Sequence, residues 1–457
     1  MNQKPPNPER PPLVLILGGT TTIARTLSRY LLDESSPKAA FVRLADRFSV
    51  SPPTTYLDKQ FLSVLNSAHS KLEYIQKNLL NTSNHTEIFT PPKEHKGNVL
   101  RTGQVEGGFE GFDIVFDLTG ELGFDKPEIL QISNTYQTSL SLATSASNLP
   151  PSLKPRSYVR LTFPFYEQKS SPSSSAGHNE SAELRPDSVR GRWWHETLRG
   201  LGKLDLNFGV IRSAAWYGRG SYEGEVVPKL VIGHVYKHLQ EEMKFLYNAD
   251  LRVNTVHSLD VSQGLWLLSL YLLSTPRKQV VSQSSVPLNF SFSTSSGFSL
   301  VSSKRSSISE SWKSFPTVVP ESQTVSIPLF NIVDDNDSTQ GSLARIVAET
   351  WGIKFGFLNS AVASLVQQFA KNDFTEMVED INEMHVEAWY KMLSSSKPPI
   401  ESSPITPFLD EHAFRKMSIC FDGSKAKRIL GYKPIHPKVQ VNELKEIIKE
   451  FQDDRLW

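Results

Sequence analysis

An α/β fold built on a doubly wound parallel sheet is what this sequence predicts, on three observations. The run PLVLILGG (12–19) is apolar throughout and ends in glycines, as a strand buried on both faces does. TTTIARTLSRYLLDES (20–35) comes next, with Ile23, Leu27, Tyr30 and Leu31 at helical spacing. Further apolar runs then alternate with helical segments, the signature of strands joined by crossover helices.

Taken in order, AAFVRLAD (39–46), LEYIQKNL (72–79), FDIVFDLTG (112–120) and YVRLTF (158–163) read as the second to fifth strands. EILQISNTYQTSLSLATSA (128–146) reads as a helix between the last two. Three polar stretches interrupt the pattern, at 168–188, at about 282–322 and at SSSKPPIESSP (394–404). Their Ser and Pro content predicts surface insertions or mobile loops, with one short strand as the alternative for NFSFST (289–294). The chain then divides into a polar, disordered N-terminus (1–11), a first α/β region (12–220) and a C-terminal region (221–457).

Composition excludes several function classes. Lys plus Arg (49) balances Asp plus Glu (48), so no electrostatic case exists for nucleic acid or an anionic membrane. A single cysteine, Cys420, excludes an internal disulfide framework and a Cys-based zinc cluster, and fits a reducing compartment. The most apolar late run, LWLLSLYLL (265–273), is far shorter than the ~20 residues of a spanning helix. The N-terminus has neither a signal-peptide core nor presequence character. A soluble cytoplasmic protein is expected. His234 and His238 lie four apart in a helical stretch but lack a third ligand, so a solvated helix face is expected and no metal.

ILGGTTTIA (16–24) sits where a strand turns into a helix, the place where a dinucleotide fold meets pyrophosphate. Gly18 and Gly19 supply the tight turn. Thr21 stands where a second glycine would allow close approach, and Ala24 where a small residue lets helix pack on strand. Thr21, Thr22 and Ile23 complete the binding turn, and the Thr hydroxyls are potential donors to phosphate. Asp46, 28 residues beyond Gly18, ends the second strand and is placed to contact ribose hydroxyls. An acid there favours NAD over NADP, and the adjacent Arg47 softens that preference. Both are otherwise ordinary loop charges.

These residues resemble the extended short-chain dehydrogenases/reductases of the NAD-dependent epimerase/dehydratase group. LEYIQKNL resembles that family's third strand, with Asn78 where an adenine-contacting Asp usually stands and Leu79 beside it. DIVFDLTG resembles the fourth strand, whose end (Leu118, Thr119, Gly120) lies along the cofactor. Asn134 resembles the family's structural Asn. LNFGVIRSAAWYGRG (206–220), LRVNTVHSLDVSQGLWLL (251–268) and FNIVDDNDSTQGSLARIVAETWG (330–352) resemble later elements in family order. FDGSKAKRILGYKP (421–434) resembles the C-terminal Asp-x-Ser-Lys-x-x-x-x-Leu-Gly-x-x-Pro element. The resemblance implies a Rossmann domain that binds NAD, or secondarily NADP, with a small substrate-binding region.

It also implies a catalytic Tyr with a Lys four residues later, the ammonium lowering the phenol pKa from the same helix face. None of the 13 tyrosines has that Lys. Tyr166-Glu-Gln-Lys169 misses by one, and Tyr166 better matches the family's structural tyrosine there. Thr162 stands where the active-site Ser/Thr is expected. Aligning VRGRWWHETLRGL (189–201) as the dyad helix puts Ser188 at the Tyr position, Arg192 at the Lys position and Glu196 one turn on. Arg192 cannot give up a proton near neutrality, but its charge can contact a ribose or phosphate. Thr162, Tyr166 and Arg192, with His195 as an alternative, are therefore the catalytic candidates. The leading expectation is a nucleotide-binding protein with atypical or lost catalysis. An active NAD(P)-dependent oxidoreductase or epimerase on a nucleotide sugar or other hydroxy/keto substrate stays open, as does an interaction scaffold. A small-molecule substrate and a homodimer are the expected partners.

Overall fold

The computed structural model describes residues 11–67, 70–95, 110–168, 177–182, 185–292, 310–359 and 375–457. Its strands are β1 (Leu13–Leu17), β2 (Phe41–Asp46), β3 (Leu72–Gln76), β4 (Ile114–Asp117), β5 (Ser157–Thr162), β6 (Tyr166–Glu167), β7 (Arg185–Pro186), β8 (Phe208–Ser213), β9 (Ala215–Tyr217), β10 (Met243–Phe245), β11 (Thr255–His257), β12 (Ser285–Leu288), β13 (Val325–Ile332) and β14 (Phe355–Phe357). Eight of them form one sheet, ordered β12-β13-β8-β5-β4-β1-β2-β3. Every pairing in it is parallel except that of β12 with β13. The strand order reverses between β1 and β4, and the crevice outside their C-terminal ends is where such sheets bind ligands.

The helices are α1 (Thr22–Leu31), α2 (Lys59–Ser67), α3 (His85–Phe89), α4 (Glu128–Gln131), α5 (Thr138–Ser147), α6 (Val189–Gly202), α7 (Val227–Leu239), α8 (Ser258–Ser274), α9 (Arg277–Ser284), α10 (Gln340–Trp351), α11 (Thr375–Ser395), α12 (Ser424–Leu430) and α13 (Val441–Asp453). A π-helical segment, Ile132–Gln137, joins α4 to α5. Continuous apolar strands bury both faces, so the sheet divides two cores. Val14, Ile16, Leu44 and Phe116 face one core, where α1 and α8 pack together. Leu15, Leu17, Val115 and Tyr158 face the other, with Leu142 of α5 and Leu198 of α6. The fold is the predicted doubly wound α/β fold, and the five early strands fall where the apolar runs lie.

Parts of the second Ser-rich stretch depart from the loop expectation. Residues 285–288 form edge strand β12, and NFSF (289–292) is not a strand. Phe292 and Val318 are buried with Trp193, Ile132 and Tyr136, and Phe290, Trp312 and Phe315 pack against them. The aromatic residues among the serines explain the difference. They carry enough apolar area to dock the segment on α6. The centre of this stretch (293–309) and residues 169–176 and 183–184 of the first lie outside the described residues. No described helix is long and apolar enough to cross a membrane.

Candidate functional site

The turn between β1 and α1 is folded onto β2. Gly18 N–H and Gly19 N–H both donate to Ala45 O, at 3.0 and 3.1 Å. Gly18 has φ +77°, and a Cβ there would stand 2.9 Å from Leu118 O. Only glycine meets both demands. Thr21 caps α1. Its Oγ1 accepts from Ala24 N–H at 3.3 Å and donates to Gly18 O at 2.9 Å. Thr20 Oγ1 donates to Asp46 Oδ2 at 2.6 Å, and Thr22 Oγ1 to Gly220 O at 3.4 Å. All three hydroxyl protons are thus directed inward, not toward a phosphate as the sequence suggested. The backbone amides of Thr22 and Ile23 open the helix and have no intrahelical acceptor.

Asp46 is buried at the end of β2. Oδ2 accepts from Thr20 N–H and Oγ1, and Oδ1 accepts from Arg47 N–H at 2.7 Å. Oδ2 is thus fully used, and Oδ1 keeps one lone pair for a ribose hydroxyl. Arg47 is exposed. Its guanidinium donates to Asn134 Oδ1 at 3.0 Å and lies over Phe48, and Asn134 Nδ2 donates to Glu121 Oε2 at 3.2 Å. Asn78 is exposed at the end of β3, its Oδ1 accepting from Leu80 N–H, while Leu79 is buried beside it. These groups bring the predicted adenosine-side residues together around the ends of β1, β2 and β3.

The other half of the crevice is filled. Leu118 and Thr119 are buried, and Thr119 bonds back to Asp117 Oδ1. Asp117 pairs with Arg160 of β5 at 2.6 Å, both side chains fully buried. Gly120 has φ +140°, and a Cβ there would stand 2.3 Å from the indole of Trp194. That indole donates to Glu121 O at 3.0 Å and has the Arg160 guanidinium 4.7 Å from its ring. Around it, Phe163 contacts Trp194 at 5.5 Å and Trp216 at 4.6 Å between centroids, and Phe165 contacts Trp194 at 5.4 Å. Thr162 lies sealed at 1% exposure, its hydroxyl without a partner.

The face that α6 turns to the β4 end carries Arg190 and Trp194, four residues apart. Arg190 donates to Leu122 O at 2.8 Å, pairs with Asp187 at 2.9 Å and stacks 3.7 Å over Phe165. Ser188 and Arg192, the pair expected from the sequence, do not occupy that face. Ser188 caps the helix through Gly191 N–H, and the Arg192 guanidinium lies over Phe292 on the other side. The Ser-rich insertion ahead of α6 blurs the register in sequence. The small residue Gly120, which an aromatic ring can cover, was the available signal for Trp194.

Tyr166 and His195 do meet. The phenol donates to His195 Nδ1 at 3.3 Å, and His195 Nε2 donates to Asn289 O at 2.7 Å. Burial pushes the phenol pKa up and the imidazole pKa down, so both are held neutral. Arg212 stacks over Phe421 and donates to Asn331 Oδ1 at 2.8 Å. Asp260 accepts from His436 N–H at 2.9 Å, a structural join between α8 and the segment after α12. His234 is not on a solvated face. Its ring stacks 4.1 Å from Trp351 and accepts from Trp457 Nε1 at 2.8 Å.

No protein-family model matches the chain, and no curated protein is significantly similar in sequence. Solved structures are similar along nearly the whole length. The dTDP-glucose 4,6-dehydratase of Streptomyces venezuelae, solved with NAD, is 14% identical at a TM-score of 0.55, covering 97% of this chain and 98% of its own. The UDP-glucose 4-epimerase of Thermotoga maritima, solved with UDP-glucose, is 14% identical at a TM-score of 0.53 over 97% and 99%. The UDP-glucuronic acid 4-epimerase of Bacillus cereus, solved with UDP-glucuronic acid and NAD, is 12% identical at 0.53 over 96% and 99%. The chain has the fold of the NAD-dependent epimerases and dehydratases. At these identities the likeness carries the fold and no more.

Proposed function

We propose that this chain is an NAD-binding protein on an epimerase/dehydratase fold that has lost the family's chemistry. One observation carries the reading. The α6 face that meets the β4 end holds Arg190 and Trp194, and the indole of Trp194 rests on Gly120. A bound nicotinamide supplies a hydride acceptor, but a proton must also move. Arg190 is a guanidinium tied to Asp187 and no proton donor near neutrality, the indole N–H is spent on Glu121 O, and Thr162 is buried at 1% exposure. The adenosine end fits the cofactor better. The open lone pair on Asp46 Oδ1 supports a ribose contact, and the unpartnered Thr22 and Ile23 amides at the start of α1 support a diphosphate contact. NAD is favoured over NADP by Asp46. A cytoplasmic location belongs to the same proposal, supported by the single buried thiol of Cys420.

Calorimetric titration of the full chain with NAD tests it. Saturable binding is expected, abolished in Gly18→Asp, where a side chain and a charge meet Leu118 O and the diphosphate. Binding should weaken about tenfold in Asp46→Ala, the value of one charge-assisted hydrogen bond. No heat of binding in the native chain would sink the reading.

A further inference from the structure

The two halves of the crevice are built differently. On the β1–β2–β3 side, groups that can face a ligand remain reachable: Arg47 and Asn78 are exposed, and the buried Asp46 keeps one lone pair, on Oδ1. On the β4–β5 side, the space a second nucleotide would need is protein interior. Trp194 is 2% exposed, Phe163 5% and Thr162 1%. The rings of Phe163, Phe165, Trp194 and Trp216 form one contiguous cluster, with Arg160 stacked against Trp194. Such a cluster is held by burial and by edge-to-face ring contacts. The indole also cannot slide along the strand end, because its N–H is bonded to Glu121 O and Gly120 closes beneath it. A nicotinamide riboside would have to displace all of this.

We infer that the site selects an adenosine diphosphate moiety and makes no use of a second nucleotide: Asp46, Arg47 and the first turn of α1 hold the ligand, and the aromatic plug on Gly120 excludes any nucleoside attached beyond the diphosphate. The inference rests on the nucleotide-binding reading and narrows it. NAD then binds by its ADP half alone, with the nicotinamide left in solvent. Arg47 is the movable part of this site. Its bond to Asn134 is made at the exposed end of the side chain, so the guanidinium can leave it to stack on the base or reach a phosphate.

The experiment compares ADP, ADP-ribose, NAD and nicotinamide mononucleotide on the full chain by calorimetry. Dissociation constants for ADP-ribose and NAD within about threefold of each other are expected, with no binding of the mononucleotide. Bound NADH should keep the emission maximum and quencher access of NADH in water. NAD binding tenfold or more tightly than ADP-ribose, or a blue-shifted, protected NADH, overturns the inference and leaves nucleotide binding intact. Failure of all four to bind instead overturns the nucleotide-binding reading itself. Trp194→Ala supplies the converse arm. If it folds, as judged by circular dichroism, NAD should gain about fivefold over ADP-ribose. Trp194→Leu keeps more apolar volume and serves where the alanine variant does not fold. Unchanged NAD/ADP-ribose ratios in a folded variant count against the plug.

Discussion

At the scale of single residues, the contact between Gly120 and Trp194 decides what the crevice can hold. The glycine backbone sits at φ +140°, and the indole stands where its Cβ would be. Gly120→Ala therefore introduces a steric conflict and a strained backbone together. Trp194→Ala opens a cavity costing about 3–5 kcal/mol. The double variant keeps the strain and the cavity but loses the conflict. Urea denaturation should show the double variant more stable than the sum of the single costs by at least about 1 kcal/mol. Simple additivity would mean that the indole does not rest on Gly120 in solution.

At the scale of elements, α6 is gripped from both sides. Its crevice face carries Arg190 and Trp194. Its opposite side is held by residues 289–292 and 310–323. There Arg199 donates to Val319 O at 3.0 Å, Pro320 O at 3.0 Å and Gln323 O at 2.6 Å, and pairs with Glu196 at 2.6 Å. Glu196 in turn accepts from Ser291 N–H and Oγ. Arg199→Ala removes the donor from Val319 O and Gln323 O and the counter-ion from the fully buried Glu196 carboxylate, which predicts a loss of about 3–5 kcal/mol in urea denaturation. Arg199→Ala/Glu196→Ala should recover part of it by removing the stranded charge, and no recovery would refute the pairing. This segment also marks the limit of sequence reading. Strands β1, β2, β4 and β5 were legible because burial on both faces writes itself as mostly apolar runs, whereas the half-exposed edge strand β3 was legible from its place in the alternation. The first turn was legible because tight geometry demands glycine at Gly18. The docking of Phe292 and Trp312 was not legible, since isolated aromatics in a Ser-rich stretch have no period. The register of α6 was not legible either. Buried ion pairs such as Glu196–Arg199 make both of its faces polar, so no apolar stripe indicates which side meets the β4 end.

At the scale of the whole molecule, burial of ionisable groups sets how stability responds to pH, and two sets of groups oppose each other. Burial raises Asp113, Asp334 and Glu450 to about 7. Between their unfolded values near 4 and about 7 the native state holds protons that the unfolded state has released. Stability from these groups is therefore full below about pH 4 and is lost as pH rises through 7. Burial lowers His234 to about 4 and His257 to about 3. Below about pH 6.5 the unfolded state binds protons that these native imidazoles refuse, so stability from them is lost as pH falls toward 4. The two slopes cancel in part over pH 4 to 6.5, and single substitutions should unmask them. Asp334→Asn removes a falling contribution, so its stability relative to the native chain should rise with pH by about 1.4 kcal/mol per unit across that window. His234→Gln removes a rising one, and its relative stability should fall at a similar rate until pH passes about 6.5. Urea midpoints measured every half unit separate the cases. Curves for both variants that run parallel to the native chain would mean that Asp334 and His234 titrate in the folded protein as they do in the unfolded chain. The burial that closes both cores around the sheet would then not extend to these two groups.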